Sequence, residues 1–175
     1  DETDWRSGFH LYSASIHLKT RNHEVALKEC DSALDISSEA GILSRQREAL
    51  HLKGRIFLEM NREDQAQIAA DELKRLLERG LNKKAKRFYW HLMGMIELKK
   101  KNFQKAIQYF NQAVALLPSQ MNPEQGQALF FESLARAHWE AGDLDGAQKE
   151  SERIVSLSTG RLFYGDIYTK SFYML

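Results

Sequence analysis

The sequence predicts an all-α solenoid of helix–turn–helix repeats, four complete units and the start of a fifth. Three observations predict it. Small residues recur in columns: Ala14, Gly54, Gly94 and Ala135 are spaced by 40, 40 and 41 residues. Twelve residues after each stands Ala26, Ala66, Ala106 or Ala147, and seven further Ala33, Leu73, Ala113 or Ile154, so three columns keep one register. Apolar residues between the columns recur at threes, fours and sevens, as Phe88, Met95, Leu98 and Phe103, Ile107, Phe110, Val114 do in the third unit. Finally, ten glycines and two prolines in 175 residues leave little material for a turn-rich β-sandwich.

Helices are expected over about residues 5–20, 23–37, 42–60, 63–79, 83–100, 103–117, 123–141, 144–158 and from 166 to the end. Polar breaks divide each unit: Thr20-Arg21-Asn22, Met60-Asn61-Arg62, Lys101-Asn102 and Ala141-Gly142-Asp143. Small residues fall where two helices approach closely, because a large side chain there would force the axes apart. Gly80 suits a helix stop. Asn122-Pro123 suits a helix start, with Asn as cap and Pro in the first turn. The resulting repeats are about 7–46, 47–86, 87–127 and 128–167 within one domain, 1–175, and 166–175 reads as a truncated terminal helix.

Composition narrows the function classes. With 25 basic and 24 acidic residues the net charge is +1, which argues against a broad phosphate-binding face, so no nucleic acid is expected. No apolar run approaches about 18 residues, so no membrane span is expected. The lone Cys30 has no internal disulfide partner. The chain opens Asp1-Glu2-Thr3, without an initiator Met or a leader, which suggests a piece excised from something longer.

The third unit resembles the tetratricopeptide repeat, through Trp90, Gly94, Ala106, Phe110, Ala113 and Pro118. The fourth is similar through Leu134-Ala135, Gly142-Asp143, Leu144 and Ala147, with Ser151 in place of the usual large aromatic. The resemblance covers about residues 7–160, and the period of 40 to 41 exceeds the usual 34. It implies a right-handed solenoid that binds a protein or peptide on a concave groove lined by the first helix of each unit, with no cofactor. The positions it places on that groove are Leu11, Ser15 and Leu18; His51, Arg55 and Leu58; His91, Met95 and Leu98; and Glu132, Arg136 and Trp139. Of these, Leu58, Met95, Leu98 and Trp139 form an expected apolar floor, and Arg55, His51, His91, Glu132 and Arg136 supply polar heads. The Lys/Asn/Arg clamp by which some family members grip a chaperone's terminal carboxylate is missing in either register.

Other constellations have plainer readings. His10, His17, His23 and Cys30 are metal-capable types, but a zinc site needs four converging ligands, and His10 and His17 fall on inward positions. His51 and His91, one repeat apart, should stack on neighbouring helices, as packing or as a pH-sensitive ligand contact. Lys99-Lys100-Lys101 ends a helix, where positive charge suits the dipole. Lys83-Lys84-Ala85-Lys86-Arg87 begins one, where the dipole disfavours it, and is the better candidate for an acidic partner. Gly142-Asp143-Leu144-Asp145-Gly146 lacks a calcium loop's ligand ladder and reads as a turn. No nucleophile, metal-protease or phosphate-loop motif occurs, so no enzyme is expected.

From Leu162 to Leu175, nine of fourteen residues are large and apolar. A solenoid normally ends in a polar cap. Phe172, Tyr173, Met174 and Leu175 are therefore a candidate oligomer interface, through which the chain would form a homodimer. The phrase TGRLFYGDIYTKSFYML also resembles a junction in tetratricopeptide arrays of large bacterial proteins, which implies a bacterial, cytoplasmic protein.

Overall fold

The computed structural model describes residues 2–118, 126–157 and 164–175. Among these, the elements are α1 (Glu2–Lys19), α2 (His23–Glu39), α3 (Leu43–Glu59), α4 (Glu63–Glu78), a 3₁₀ turn (Lys83–Ala85), α5 (Lys86–Lys99), α6 (Phe103–Ala115), α7 (Gln127–Glu140), α8 (Leu144–Ser156) and α9 (Gly165–Tyr173). The expected start at Asn122-Pro123 lies outside the described residues, and α7 begins at Gln127 after Gly126 with φ 70°. The helix expected from residue 83 opens instead with one 3₁₀ turn, where the Asn82 side chain accepts from the Lys84 amide at 3.1 Å.

The turns within helix pairs are made alike. Arg21, Asn61, Lys101 and Gly142 are left-handed, with φ of 61°, 57°, 61° and 77°. The residue after each donates its amide to the carbonyl five back: Asn22 to His17 at 2.8 Å, Arg62 to Phe57 at 2.8 Å, Asn102 to Glu97 at 2.9 Å and Asp143 to His138 at 2.9 Å. The left-handed residue itself donates to the carbonyl three back, which completes a Schellman closure and satisfies carbonyls the helix end would orphan. The amides of Ala26, Ala66, Ala106 and Ala147 then bond back to Asn22, Arg62, Asn102 and Asp143, opening the second helix at once.

Contacts divide the chain into two compact units, Asp1–Leu92 and Met93–Leu175, with the division inside α5. In the first unit, α1 packs on α2, α2 on α3 and α3 on α4. Leu50, Leu73 and Leu76 are buried at its centre, flanked by Leu34, Leu43, Leu77, Phe88 and Tyr89. Polar links cross between its helices: Ser7 Oγ donates to the Ala33 carbonyl at 3.2 Å, and Gln46 Nε2 to the Ser37 carbonyl at 2.9 Å. A Cβ on Gly54 would meet the Leu92 side chain at 2.5 Å, so glycine there admits a full-sized leucine.

In the second unit, Leu98, Ala106, Phe110, Leu134 and Ala137 form one buried cluster. Ala128, Phe131, Ile154, Ile167 and Tyr168 form another, which fastens α9 to α7 and α8. A Cβ on Gly94 would lie 2.6 Å from the Phe110 ring. At the missing aromatic position, Ser151 is buried, donates to the Ala147 carbonyl at 2.9 Å and meets Met174 Sδ at 4.0 Å. Met174 is thus half-buried on α8, while Phe172, Tyr173 and Leu175 remain exposed.

Two outcomes follow. Gly94→Leu should cost about 1–3 kcal/mol or more by overpacking against Phe110, against under about 0.5 for Leu at exposed Gln104; denaturant titrations compare them. At the turns, Lys101→Gly should stabilise by about 0.5–1 kcal/mol by relieving the left-handed lysine, whereas Gly142→Ala should cost about 1. No side chain or backbone stands within 4 Å of a Cβ at Gly142, so that loss would report backbone strain alone.

Candidate protein-binding site

Forty residues apart, His51 on α3 and His91 on α5 do meet. His51 Nε2 and His91 Nδ1 lie 2.9 Å apart, with ring centroids 5.0 Å apart and an edge-on 61° between planes. Phe88 stands 5.2 Å from the His51 ring. Both imidazoles are buried, so the pair is interior structure as it stands and not an open contact. Burial above all, and then the neighbouring His91, Arg55 and Arg87, hold the His51 pKa well below 6.5. A neutral His51 shares one hydrogen bond with His91, one ring nitrogen donating and the other accepting.

Around this pair the first unit collects arginines. Arg45 grips Asp4 of α1 in a fork, Nε to Oδ1 at 2.8 Å and Nη2 to Oδ2 at 3.1 Å, and its Nη1 donates to Glu48 Oε2 at 3.1 Å. That hydrogen bond to Arg45 is the main reason the Asp4 carboxyl sits below its ordinary pKa. Burial pushes the Glu48 carboxyl up, against the pull of Arg45 and Arg87. Arg87 donates Nη1 to the Lys84 carbonyl at 3.1 Å and lies 4.3 Å over the Phe88 ring. Arg47 is only 6% exposed, lies against Gly80, and burial lowers its pKa. The Nε groups of Arg47 and Arg87 are buried with no acceptor among the described residues. Arg55, half-buried, projects from α3 one turn beyond His51. Two carboxyls, Asp4 and Glu48, thus share Arg45, while the buried Nε groups of Arg47 and Arg87 stay without an acceptor among the described residues.

The second unit places its expected residues differently. Glu132, Arg136 and Trp139 share one face of α7, half-buried, exposed and 54% exposed respectively. Met95 packs against the Leu98–Phe110 cluster. Leu11, Leu58 and Leu98 are buried, so these expected groove positions belong to the cores and not to an accessible surface. Among the expected floor residues, Trp139 is the one that offers apolar surface.

The metal-capable types do not converge. His10 Nδ1 pairs with Glu29 Oε2 at 2.7 Å, and burial pushes the Cys30 thiol up to about 12, leaving it a protonated core residue. No group of three or more His, Cys, Asp or Glu side chains among the described residues could hold a metal ion. In the acidic turn, Asp143 caps α8, accepting from the Gly146 amide at 3.0 Å and pairing with His138 Nδ1 at 2.6 Å. Among the described residues, no helix is long and apolar enough to cross a membrane. Sequence reasoning missed Arg47 and Glu48, whose only signal was a position one turn before His51.

Residues 87–120 match the family model for the tetratricopeptide repeat. No curated protein matches the sequence. Among solved structures, BtubC (BKLC) from P. vanneervenii superposes with a TM-score of 0.58 at 18% identity over 96% of this chain. This chain spans 65% of BtubC, less than two thirds. A putative kinesin light chain from Podosopora anserina with nearly identical TPR-like repeats gives 0.59 at 14% identity, covering 98% of this chain and 87% of that one. The APC/C hetero-tetramer Cut9–Hcn1 gives 0.53 at 13% identity, covering 97% and 36%. The chain has the all-α fold of tetratricopeptide-type repeat proteins.

Acid should loosen the first unit. His51 has a folded pKa below its unfolded one, so the folded state binds fewer protons between the two values. Its contribution is complete above about pH 6.5 and declines as the pH falls toward the folded value, by up to about 1.4 kcal/mol per pH unit. Melts from pH 7.5 to 5 should show this slope in the native chain and a flatter one in His51→Asn.

Proposed function

We propose that this chain is a non-catalytic protein-binding scaffold module, and that its first unit receives an acidic peptide segment at the arginines of α3 and α5. The observation that carries this reading is that the Nε donors of Arg47 and Arg87 are buried without an acceptor among the described residues, while the nearby carboxyls Asp4 and Glu48 are engaged by Arg45. A buried donor without an acceptor costs roughly 1–3 kcal/mol, which a carboxylate from a ligand would recover. Arg55, Lys86 and Arg87 supply reachable cations around them, and arginine forks suit carboxylates. In the second unit, Arg136 and Trp139 offer a separate contact face, an arginine and an aromatic being the residue types that most often dominate interfaces. The Cut9–Hcn1 hetero-tetramer, a chain of which superposes on this one, is an assembly of two proteins, which fits a protein partner.

A second reading, self-assembly through the C-terminal helix, draws on the exposure of Phe172, Tyr173 and Leu175. Phe172→Ser with Tyr173→Ser would then abolish any association of the chain with itself.

Fluorescence anisotropy with labelled glutamate-rich and lysine-rich dodecapeptides tests the first reading. The acidic peptide should bind, more weakly as salt rises. Alanine at Arg55 or Arg87 on the first unit's face, or at Arg136 or Trp139 on the second unit's separate face, should weaken binding there by about 1–3 kcal/mol with helical circular dichroism unchanged. Equal binding of both peptides, or binding that survives all four substitutions, would sink it.

A further inference from the structure

α1 has two apolar faces and only one is covered. Ser7, Leu11 and Ala14 are buried on the side that meets α2. On the opposite side, Trp5, Phe9, Tyr12 and Ile16 are 68%, 55%, 56% and 45% exposed. Steps of four, three and four residues put these side chains in one stripe, the seam spacing of a coiled coil. Trp5 and Phe9 already stack, with centroids 5.9 Å apart.

The repeat shows that this stripe is a packing face. Forty residues on, α3 carries Ala49, Leu52 and Ile56 at the positions of Phe9, Tyr12 and Ile16, exposed by 0%, 5% and 0%. In α7 the corresponding Phe130, Ser133 and Ala137 are just as closely covered. α3 has packed neighbours in both α2 and α4 and also meets α1, with Arg45 paired to Asp4. A helix laid along the stripe would cover α1 in the same way.

We infer that the α1 stripe is a homodimer interface, in which α1 packs antiparallel on α1 of a second copy about a two-fold axis. The stripe is complementary to itself in that arrangement. Centring the two-fold between Phe9 and Tyr12 sets Phe9 opposite Tyr12 of the other copy and Trp5 opposite Ile16. The same register sets Glu2 opposite Lys19 at both ends, two exposed residues of opposite charge. Ser13 and Ser15 flank the seam and are small enough to let the axes close. The three aromatics leave on the order of 350 Å² uncovered in each copy. With Ile16 and the flanks, two copies would bury about 1,000 Å², the low end of specific interfaces, so the dimer is concentration-dependent.

Sedimentation equilibrium on the 175-residue chain from micromolar to millimolar concentration tests this. The expected result is a monomer–dimer equilibrium that Phe9→Glu and Tyr12→Glu each weaken at least tenfold, with circular dichroism unchanged because both positions are exposed. Glu2→Lys should weaken it, and Lys19→Glu in the same chain should restore it. Mixing Phe9→Cys chains with Tyr12→Cys chains should give a mixed disulfide, since the native Cys30 is buried. A monomer at all concentrations overturns the proposal, as does association lost in the α9 variants Phe172→Ser and Tyr173→Ser but kept in the α1 variants. A disulfide between two Trp5→Cys chains in preference to the mixed one overturns the antiparallel arrangement.

Discussion

The separation between neighbouring helices governs the rest of this molecule. Where Gly94 faces Phe110 there is no room for even one methyl group, since a Cβ would stand 2.6 Å from the ring. That approach seats Phe110 fully inside the cluster of Leu98, Ala106, Leu134 and Ala137. Interiors at such density turn each added carbon into strain. It also forces the chain to reverse within three residues, which is why Arg21, Asn61 and Lys101 accept a left-handed backbone that costs an ordinary side chain about 1–2 kcal/mol.

Close packing decides what becomes of polar groups. Glu97 is buried in the second unit and is tied by Asn102 Nδ2 at 2.9 Å and Lys105 Nζ at 3.1 Å, so its charge is answered locally. His51 stays neutral and bonds His91. The arginines of α3 and α5 are the departure from this thrift, because Arg47 is buried without using all its donors. A buried charge kept in that state is poor for stability.

Position in the array separates helices that read alike. α1 and α3 both carry apolar residues on opposite faces, but α3 lies between α2 and α4, whereas α1 meets α2 on one face and leaves the other to solvent. At the other end, α9 buries Ile167, Tyr168 and Ser171, yet turns Phe172 and Tyr173 outward. Both ends therefore carry apolar surface of the kind that the inner helices use for packing.

By itself the sequence determined the succession of helices and tight turns: the helix expected over 103–117 is Phe103–Ala115, and that over 23–37 is His23–Glu39. Local physics suffices for that, because apolar period, small-residue columns and polar breaks all act within one helix pair. The resemblance to the tetratricopeptide repeat at Trp90, Gly94 and Ala106 rests on the same short-range pattern, and it falls within the stretch the family model matches. Which side chains became surface was settled only by tertiary structure. Leu58 and Leu98 read as floor and are core; His51 and His91 read as polar heads and are a buried pair; Phe9, Tyr12 and Ile16 are exposed, although Ala49, Leu52 and Ile56 at the matching positions of α3 are covered. Periodicity reports that a face is apolar, but burial depends on whether a neighbouring helix lies against it, and that neighbour is encoded elsewhere in the chain or in another molecule.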